Sequence, residues 1–284
     1  MEIRKHVHGK GKLWTLTCIS RDSGFRVASV IIMGKEEAIV IDTQWTLSNA
    51  HRVVAELLEA GKKLKSIFLT HAHPDHYFGT EVFLNAYPEA KVYALEEDIP
   101  TIHAQLFPKL EHWEKEIGVL NCPHKEFSIL PLQDGHLELD GERIEIHGKV
   151  WGDLKYNSKV WIPSIKTVVC SDIVFSGAHP FTCEVSAKGR RNWLAELENI
   201  RSMGADVIIP GHATENMPFD ETGLDFTRDY LLATEEELAK KPTVEAFFYN
   251  IEKRFFGAKL RKSNEMNANV MCGDREWWPE GDED

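Results

Sequence analysis

Apolar residues recur along this chain in two rhythms, and together they outline an ordered series of strands and helices. Residues 12–20 and 26–33 are rich in strand-forming types, and 37–42 hold the continuous apolar run Ala38-Ile-Val-Ile41. A helix follows. Ser48 is placed to cap it, Ala50, Val53, Val54, Leu57 and Leu58 share one face, and Gly61 ends it. The run Ser66-Ile-Phe-Leu-Thr70 reads as a short apolar strand, with a helix over 77–86 and a strand over 91–94 after it. Residues 96–117 read as a helical insertion whose apolar and aromatic positions would cover a cleft. Strands return over 135–175, and an amphipathic helix over 191–203 carries Trp193, Leu194, Leu197 and Ile200 on one side. A strand over 206–210 and helices over 225–240 and 242–256 complete the series.

Two successive runs of mixed strand and helix place the chain in the α/β class and suggest a four-layer α/β/β/α sandwich. Periodicity alone does not separate that sandwich from other α/β folds. No internal repeat or low-complexity linker divides the chain. The expected organisation is one domain over 1–258 and a C-terminal tail over 259–284. The tail's acidic end, Pro279-Glu-Gly-Asp-Glu-Asp284, is expected to be solvated.

Composition narrows the function. With 43% hydrophobic and 27% charged residues the chain is of ordinary globular type. No stretch approaches the roughly 20 apolar residues of a membrane span. A net charge of −12 without a basic stripe argues against a nucleic-acid partner. The start, Met1-Glu-Ile-Arg-Lys-His6, has no apolar signal core, so cytoplasmic residence is expected. Cys18, Cys122, Cys170, Cys183 and Cys272 are odd in number and never spaced as CxxC, which favours reduced thiols over disulfides or a zinc knuckle.

The chemistry concentrates where the strand ending at Thr70 runs into His71-Ala-His73-Pro-Asp75-His76. Histidines at i and i+2 past a strand end can turn toward one metal ion. Asp75 and His76 then face a second position, with imidazole nitrogen and carboxylate oxygen as donors. Three histidines and an aspartate within six residues are seldom needed for packing.

This motif resembles that of the metallo-β-lactamase superfamily, and the resemblance continues in order along the chain from about residue 26 to 214. Asp42, closing Ala-Ile-Val-Ile-Asp, resembles the end of the family's strand before its first helix. Asp172, in Val168-Val-Cys-Ser-Asp172, resembles the aspartate that bridges two metals, and His212, in Val207-Ile-Ile-Pro-Gly-His212, the last metal ligand. One position departs from the pattern. Where members carry Gly-His before the bridging aspartate, this chain has Gly152-Asp153, with Pro163 where a family turn proline often sits. Asp153 is read as a carboxylate ligand replacing histidine. His147 from a shifted strand, or no ligand at all, are the alternatives.

The resemblance implies a four-layer metallo-β-lactamase sandwich holding two divalent ions, zinc first and manganese or iron compatible. The implied ligands are His71, His73, Asp75, His76, Asp153, Asp172 and His212. It implies a metal-bridging hydroxide that hydrolyses a small-molecule lactone, lactam, ester or thioester, with Asp75 orienting the nucleophile and carrying its proton. His179, in Ser-Gly-Ala-His-Pro-Phe, is expected at the mouth of the site as a catalytic or supporting residue. Asp153 in place of histidine lowers the positive charge of the centre and should raise the pKa of its water.

Two other functions compete: a mononuclear iron oxygenase of the persulfide dioxygenase type, and a non-enzymatic metal-binding protein. An RNA-processing nuclease conflicts with the acidic charge, and a flavodiiron protein with the short stretch after residue 256. A glyoxalase II-type thioesterase stays a minor branch, since Arg254, Lys259, Arg261 and Lys262 form no diagnostic motif. Trp45 lines the cleft or the core. Tyr77 and Phe78 are assigned to the core, and His6, His8, His51, His103, His112, His124 and His136 to surface or packing.

Overall fold

A computed structural model describes residues 1–6 and 13–275. The acidic end and His8 lie outside the described residues. Strands β1 (Glu2–His6), β2 (Trp14–Ile19), β3 (Ala28–Met33) and β4 (Glu37–Ile41) pair antiparallel in succession. Helix α1 (Leu47–Glu59) then returns the chain to β5 (Lys63–Phe68), which pairs parallel to β4. Short helices α2 (Pro74–Tyr77) and α3 (Thr80–Ala86) lead to β6 (Lys91–Ala94), and α4 (Asp98–Ile117) to β7 (Leu130–Pro131), again in parallel pairings. Parallel neighbours need such crossovers, since a tight turn can join only antiparallel strands. The seven strands form one sheet in chain order.

A second sheet has the order β12-β11-β10-β9-β8. Strands β8 (His136–Leu139) and β9 (Glu142–Val150) form a hairpin across Asp140-Gly141, both with positive φ, as a two-residue turn requires. β10 (Asn157–Ile162) and the ten-residue β11 (Thr167–Ser176) follow. Helix α5 (Ala187–Ser202) precedes β12 (Val207–Ala213), and α6 (Glu221–Leu238), α7 (Val244–Arg254) and α8 (Arg261–Cys272) end the described chain. Every residue of β11 is buried, so its apolar residues fall in two runs, Val168-Val-Cys170 and Ile173-Val-Phe175, on either side of Ser171-Asp172, and do not alternate.

The chain folds as two compact units. The first comprises Met1–Gly148 and Val160–Thr167. Its core includes Ile31, Val40, Ile67 and Phe83, with Val53 and Leu57 of α1 fully buried. The second comprises Lys149–Lys159 and Val168–Asp284. Within it, Trp193 of α5 donates its indole N–H to Ile173 O at 2.8 Å, and Tyr230, Phe247, Ile251 and Ala268 join α6, α7 and α8. Among the described residues no helix is long and apolar enough to cross a membrane, and all five cysteines are free.

Three expectations change. The N-cap of α1 is Thr46, whose side chain accepts from the Asn49 N–H, two residues ahead of Ser48. The helix expected over 77–86 breaks at Gly79, and where a tail was expected from 259 the structure has α8. The break has a steric cause. Gly79 donates its N–H to Gln44 O at 2.9 Å, and a Cβ there would lie 1.9 Å from Thr43 O. Gly79→Ala must push apart the loop after β4, so a loss of about 3 kcal/mol is expected, read as a lower urea midpoint at unchanged m-value.

Candidate metal centre

The first unit supplies four of the expected residues. β5 is an internal parallel strand, and the chain leaves its C-terminal end through Leu69-Thr70 into His71. His73 is the N-cap of α2, Pro74 opens the helix, and Asp75 and His76 lie in its single turn. Ring centroids of His71 lie 4.9 Å from His73 and 4.3 Å from His76. His71 and His76 are fully buried and His73 nearly so.

Asp42 organises this cluster. It sits past the end of β4 with φ +59°, in the left-handed region, where its N–H still donates to Phe68 O at 3.0 Å. Its carboxylate accepts the Thr70 N–H (2.9 Å), the Thr70 hydroxyl (2.8 Å) and, at 2.7 Å, the Nδ1 of His76. A carboxylate beside Nδ1 favours the tautomer with the proton there, which makes Nε2 the electron-pair donor. Thr70 extends the arrangement. Its hydroxyl proton goes to Asp42, so its oxygen accepts from His71 Nδ1 at 3.0 Å, and His71 too presents Nε2. One buried carboxylate thus orients two imidazoles, the support that metal-binding histidines use.

The second unit supplies Asp153, Asp172 and His212. Asp172 lies in the middle of β11, next to Ser171 with φ +47°. The Asp153 N–H donates to Asp172 O at 3.2 Å, and Asn157 Nδ2 donates to Asp153 Oδ1 at 3.2 Å. His212 Nε2 lies 3.0 Å from Asp172 Oδ2, and its ring stacks on Phe175, 5.0 Å between centroids at 6°. The glycine before His212 is dictated by space: a Cβ on Gly211 would fall 2.2 Å from Asp172 Oδ1 and 2.6 Å from Ser171 O.

Two sets of side chains can each offer ligand atoms within 4.8 Å of one another: His71, His73, Asp153 and Asp172, all buried, and Asp75, His76 and His212, of which Asp75 alone is partly open. The donor set fits divalent cations. Four imidazoles and three carboxylates, six of the seven buried, give the borderline nitrogen and hard oxygen donors that zinc, manganese or iron take. Carboxylates removed from water need compensating positive charge, and two divalent ions would supply it.

All seven expected metal-binding residues therefore fall in these sets, Asp153 among them. His147 does not. It is 39% exposed and its Nε2 lies 3.2 Å from Glu145. Tyr77 and Phe78 are buried core, and Trp45 belongs to an edge-on aromatic triad with Phe25 and Trp113 at 4.2 and 5.5 Å. Thr70 and Asn157 went unrecognised in the sequence. Only the adjacency of Thr70 to His71 could have pointed to it.

His179 falls in neither set. Its ring is completely buried, with Nδ1 3.2 Å from the Tyr230 hydroxyl and Nε2 3.0 Å from Glu252. Burial outweighs the Glu252 carboxylate, so its pKa falls from the ordinary 6.5 to about 4, with Arg261 adding to the fall. As pH drops, the unfolded chain takes up this proton first. The stability tied to the neutral ring is full above pH 6.5 and is lost between about 6.5 and about 4. Urea midpoints of wild type should fall through this window more steeply than those of His179→Gln; parallel pH profiles would contradict this.

A family model described as the metallo-beta-lactamase superfamily matches residues 22–212. A hydroxyacylglutathione hydrolase of Acaryochloris marina (strain MBIC 11017) is 31% identical over 59% of this chain and 56% of its own length. One of Francisella tularensis subsp. novicida (strain U112) is 35% identical over 41% and 42%. The matched stretch thus spans about half the length of these curated relatives. Among solved structures, DIM-1 metallo-beta-lactamase exposed to ceftazidime has a TM-score of 0.58 at 22% identity, over 82% of this chain and 97% of that one. This likeness carries the fold: the α/β architecture of two sheets flanked by helices expected from the sequence is that of metallo-β-lactamases.

Proposed function

This chain belongs to the metallo-β-lactamase superfamily, and from that premise we propose that it is a metal-dependent hydrolase of a small carbonyl compound. A thioester comes first, ahead of a lactone, lactam or ester. The observation that carries the reading is the pair of donor sets, His71, His73, Asp153, Asp172 and Asp75, His76, His212, whose atoms lie close enough to hold one ion each. The hydroxyacylglutathione hydrolase relatives favour the thioester. Zinc is the expected metal, with manganese and iron compatible with the carboxylates.

When bound, two such ions polarise a carbonyl and lower the pKa of water toward about 7. The chain's own residues do the rest. Asp42 and Thr70 hold His76 and His71 with Nε2 presented, so neither ring has to reorient when the ion arrives. Asp172 faces His212 and lies against Gly211, which fixes where its two oxygens point. Asp75 is the one partly exposed member, its Oδ2 3.7 Å from His76 Nε2. It can therefore meet substrate, take the proton of the attacking water and return it to the leaving group. The net charge of −12 and the absence of a basic stripe fit a small-molecule substrate and not nucleic acid.

The test is hydrolysis of a panel of thioesters, lactones, lactams and esters by one preparation, before and after dialysis against a chelator. Turnover of at least one substrate, thioesters foremost, is expected to disappear with the metal and return on adding zinc. Oxygen uptake with a thiol-derived substrate, one iron per chain and no turnover across the panel would replace the hydrolase with an oxygenase.

A further inference from the structure

Past the end of β11 the chain passes through Gly177 to His179, and the C-terminal helices hold this segment. The His179 N–H donates to Lys259 O at 2.8 Å, and Lys259 donates back to Gly177 O at 2.9 Å. The imidazole lies between α6 and α7, against the Tyr230 hydroxyl and the Glu252 carboxylate. A carboxylate only accepts, so the ring's proton sits on Nε2 facing Glu252, and Nδ1 accepts from Tyr230. Arg261, at the start of α8, holds the other Glu252 oxygen at 2.8 Å. Burial keeps the ring neutral at physiological pH.

Helix α6 grips β11 at a second point. Thr227, three residues before Tyr230, accepts the Phe175 N–H at 2.9 Å and shares its single hydroxyl proton between Phe175 O at 3.0 Å and Gly223 O at 2.9 Å. Phe175 is therefore pinned by both its backbone groups, and its ring lies parallel to the His212 imidazole. A parallel neighbour opposes rotation of the imidazole about its Cβ–Cγ bond, the motion that would tilt the ring out of this plane. The stack thus sets the direction in which His212 Nε2 points at Asp172.

We propose that His179 is a positioning residue for His212: with Tyr230 and Glu252 it seats α6 on β11, and Phe175 passes that placement to the His212 ring. The proposal rests on the reading of His212 as a metal-holding residue. It gives His179 a function in the metal centre without contact to substrate. Removing the imidazole would take a partner from the buried Tyr230 hydroxyl and leave a gap between α6 and the Glu252 carboxylate, which Arg261 and Asn264 still hold, and α6 would shift to close it.

The experiment titrates chelator-treated protein with zinc and with cobalt, following heat and the cobalt absorption spectrum, for wild type, His179→Leu, His179→Gln and Tyr230→Phe. His179→Leu is expected to weaken one of the two binding steps by about 10-fold, the lower end of what supporting partners of metal-binding histidines contribute. The other step should keep its affinity, and the cobalt spectrum should change. His179→Gln, which keeps a donor toward Glu252, should recover most of the affinity. A residue that only stabilises the fold would lower the urea midpoint in all three variants and leave both binding steps unchanged, and that result overturns the proposal. Should His179→Leu not fold, Tyr230→Phe decides, since it deletes one hydroxyl and leaves the ring packing intact. Wild type that binds no metal would sink the metal-centre reading itself. Two unaltered binding steps in folded variants would sink only the assignment of His179.

Discussion

Asp75→Asn is expected to lower kcat by about 10²–10⁴-fold with KM little changed. The substitution keeps the shape of the side chain. It removes the one partly open member of the second donor set. An amide cannot take the proton of the attacking water, and it offers the metal a neutral oxygen in place of an anionic one. Rate and metal content must therefore be measured on the same sample. A fall in kcat well beyond the fall in metal occupancy identifies Asp75 as the proton carrier. Loss of both in proportion would make it a ligand alone, and unchanged kcat would remove it from the reaction.

Asp153 carries the second large effect. Asp153→Ala deletes one of the two carboxylates of its buried donor set. It should weaken metal binding by more than the roughly 10–100-fold that loss of an outer partner costs. Asp153→His restores the donor type usual in the superfamily and makes the centre one charge more positive. It should hold zinc and shift the rising limb of the activity profile to lower pH, because a more positive centre acidifies water more strongly. Calorimetric titration with zinc and manganese, with His147→Ala as control, checks this. Metal loss in the His147 variant and none in Asp153→Ala would reverse the assignment.

How much of this was legible in the residues depended on how local the cause was. His71, His73, Asp75 and His76 announce themselves because one strand end and one helical turn bring them together within six positions. Asp42 was visible as a strand terminus, but not as the residue that orients His76 and, through Thr70, His71. Those hydrogen bonds span 28 and 34 positions, and no short-range pattern encodes them. Gly152 resembles the family glycine, and Gly211 stands directly before His212. The structure supplies the reason: backbone or side-chain atoms of Asp172 occupy the space of a Cβ at both.

Helix α8 was missed for a physical reason. Its buried face includes Ser263, Asn264 and Asn267, polar residues within the stretch expected as a tail. The two asparagines are buried because they are satisfied. Asn267 donates to Pro180 O at 2.8 Å and accepts from the Thr182 N–H at 2.8 Å, while Asn264 donates to Phe248 O at 3.1 Å. Hydrophobic periodicity cannot find a helix docked by amides. His179 misled in the same way. The resemblance placed it at the mouth of the site, whereas its partners Tyr230 and Glu252 come from distant helices.

The seven side chains and the two ions proposed for them can be tested together by one measurement. Crystals of protein reconstituted with zinc, measured on both sides of the zinc absorption edge, should show two anomalous peaks. One should lie within the roughly 2.0–2.2 Å of coordination bonds from His71, His73 and Asp153, and the other equally close to Asp75, His76 and His212, with Asp172 reaching both. A single peak that leaves Asp153 or His212 uncoordinated, or ions bound only elsewhere on the chain, would contradict the account.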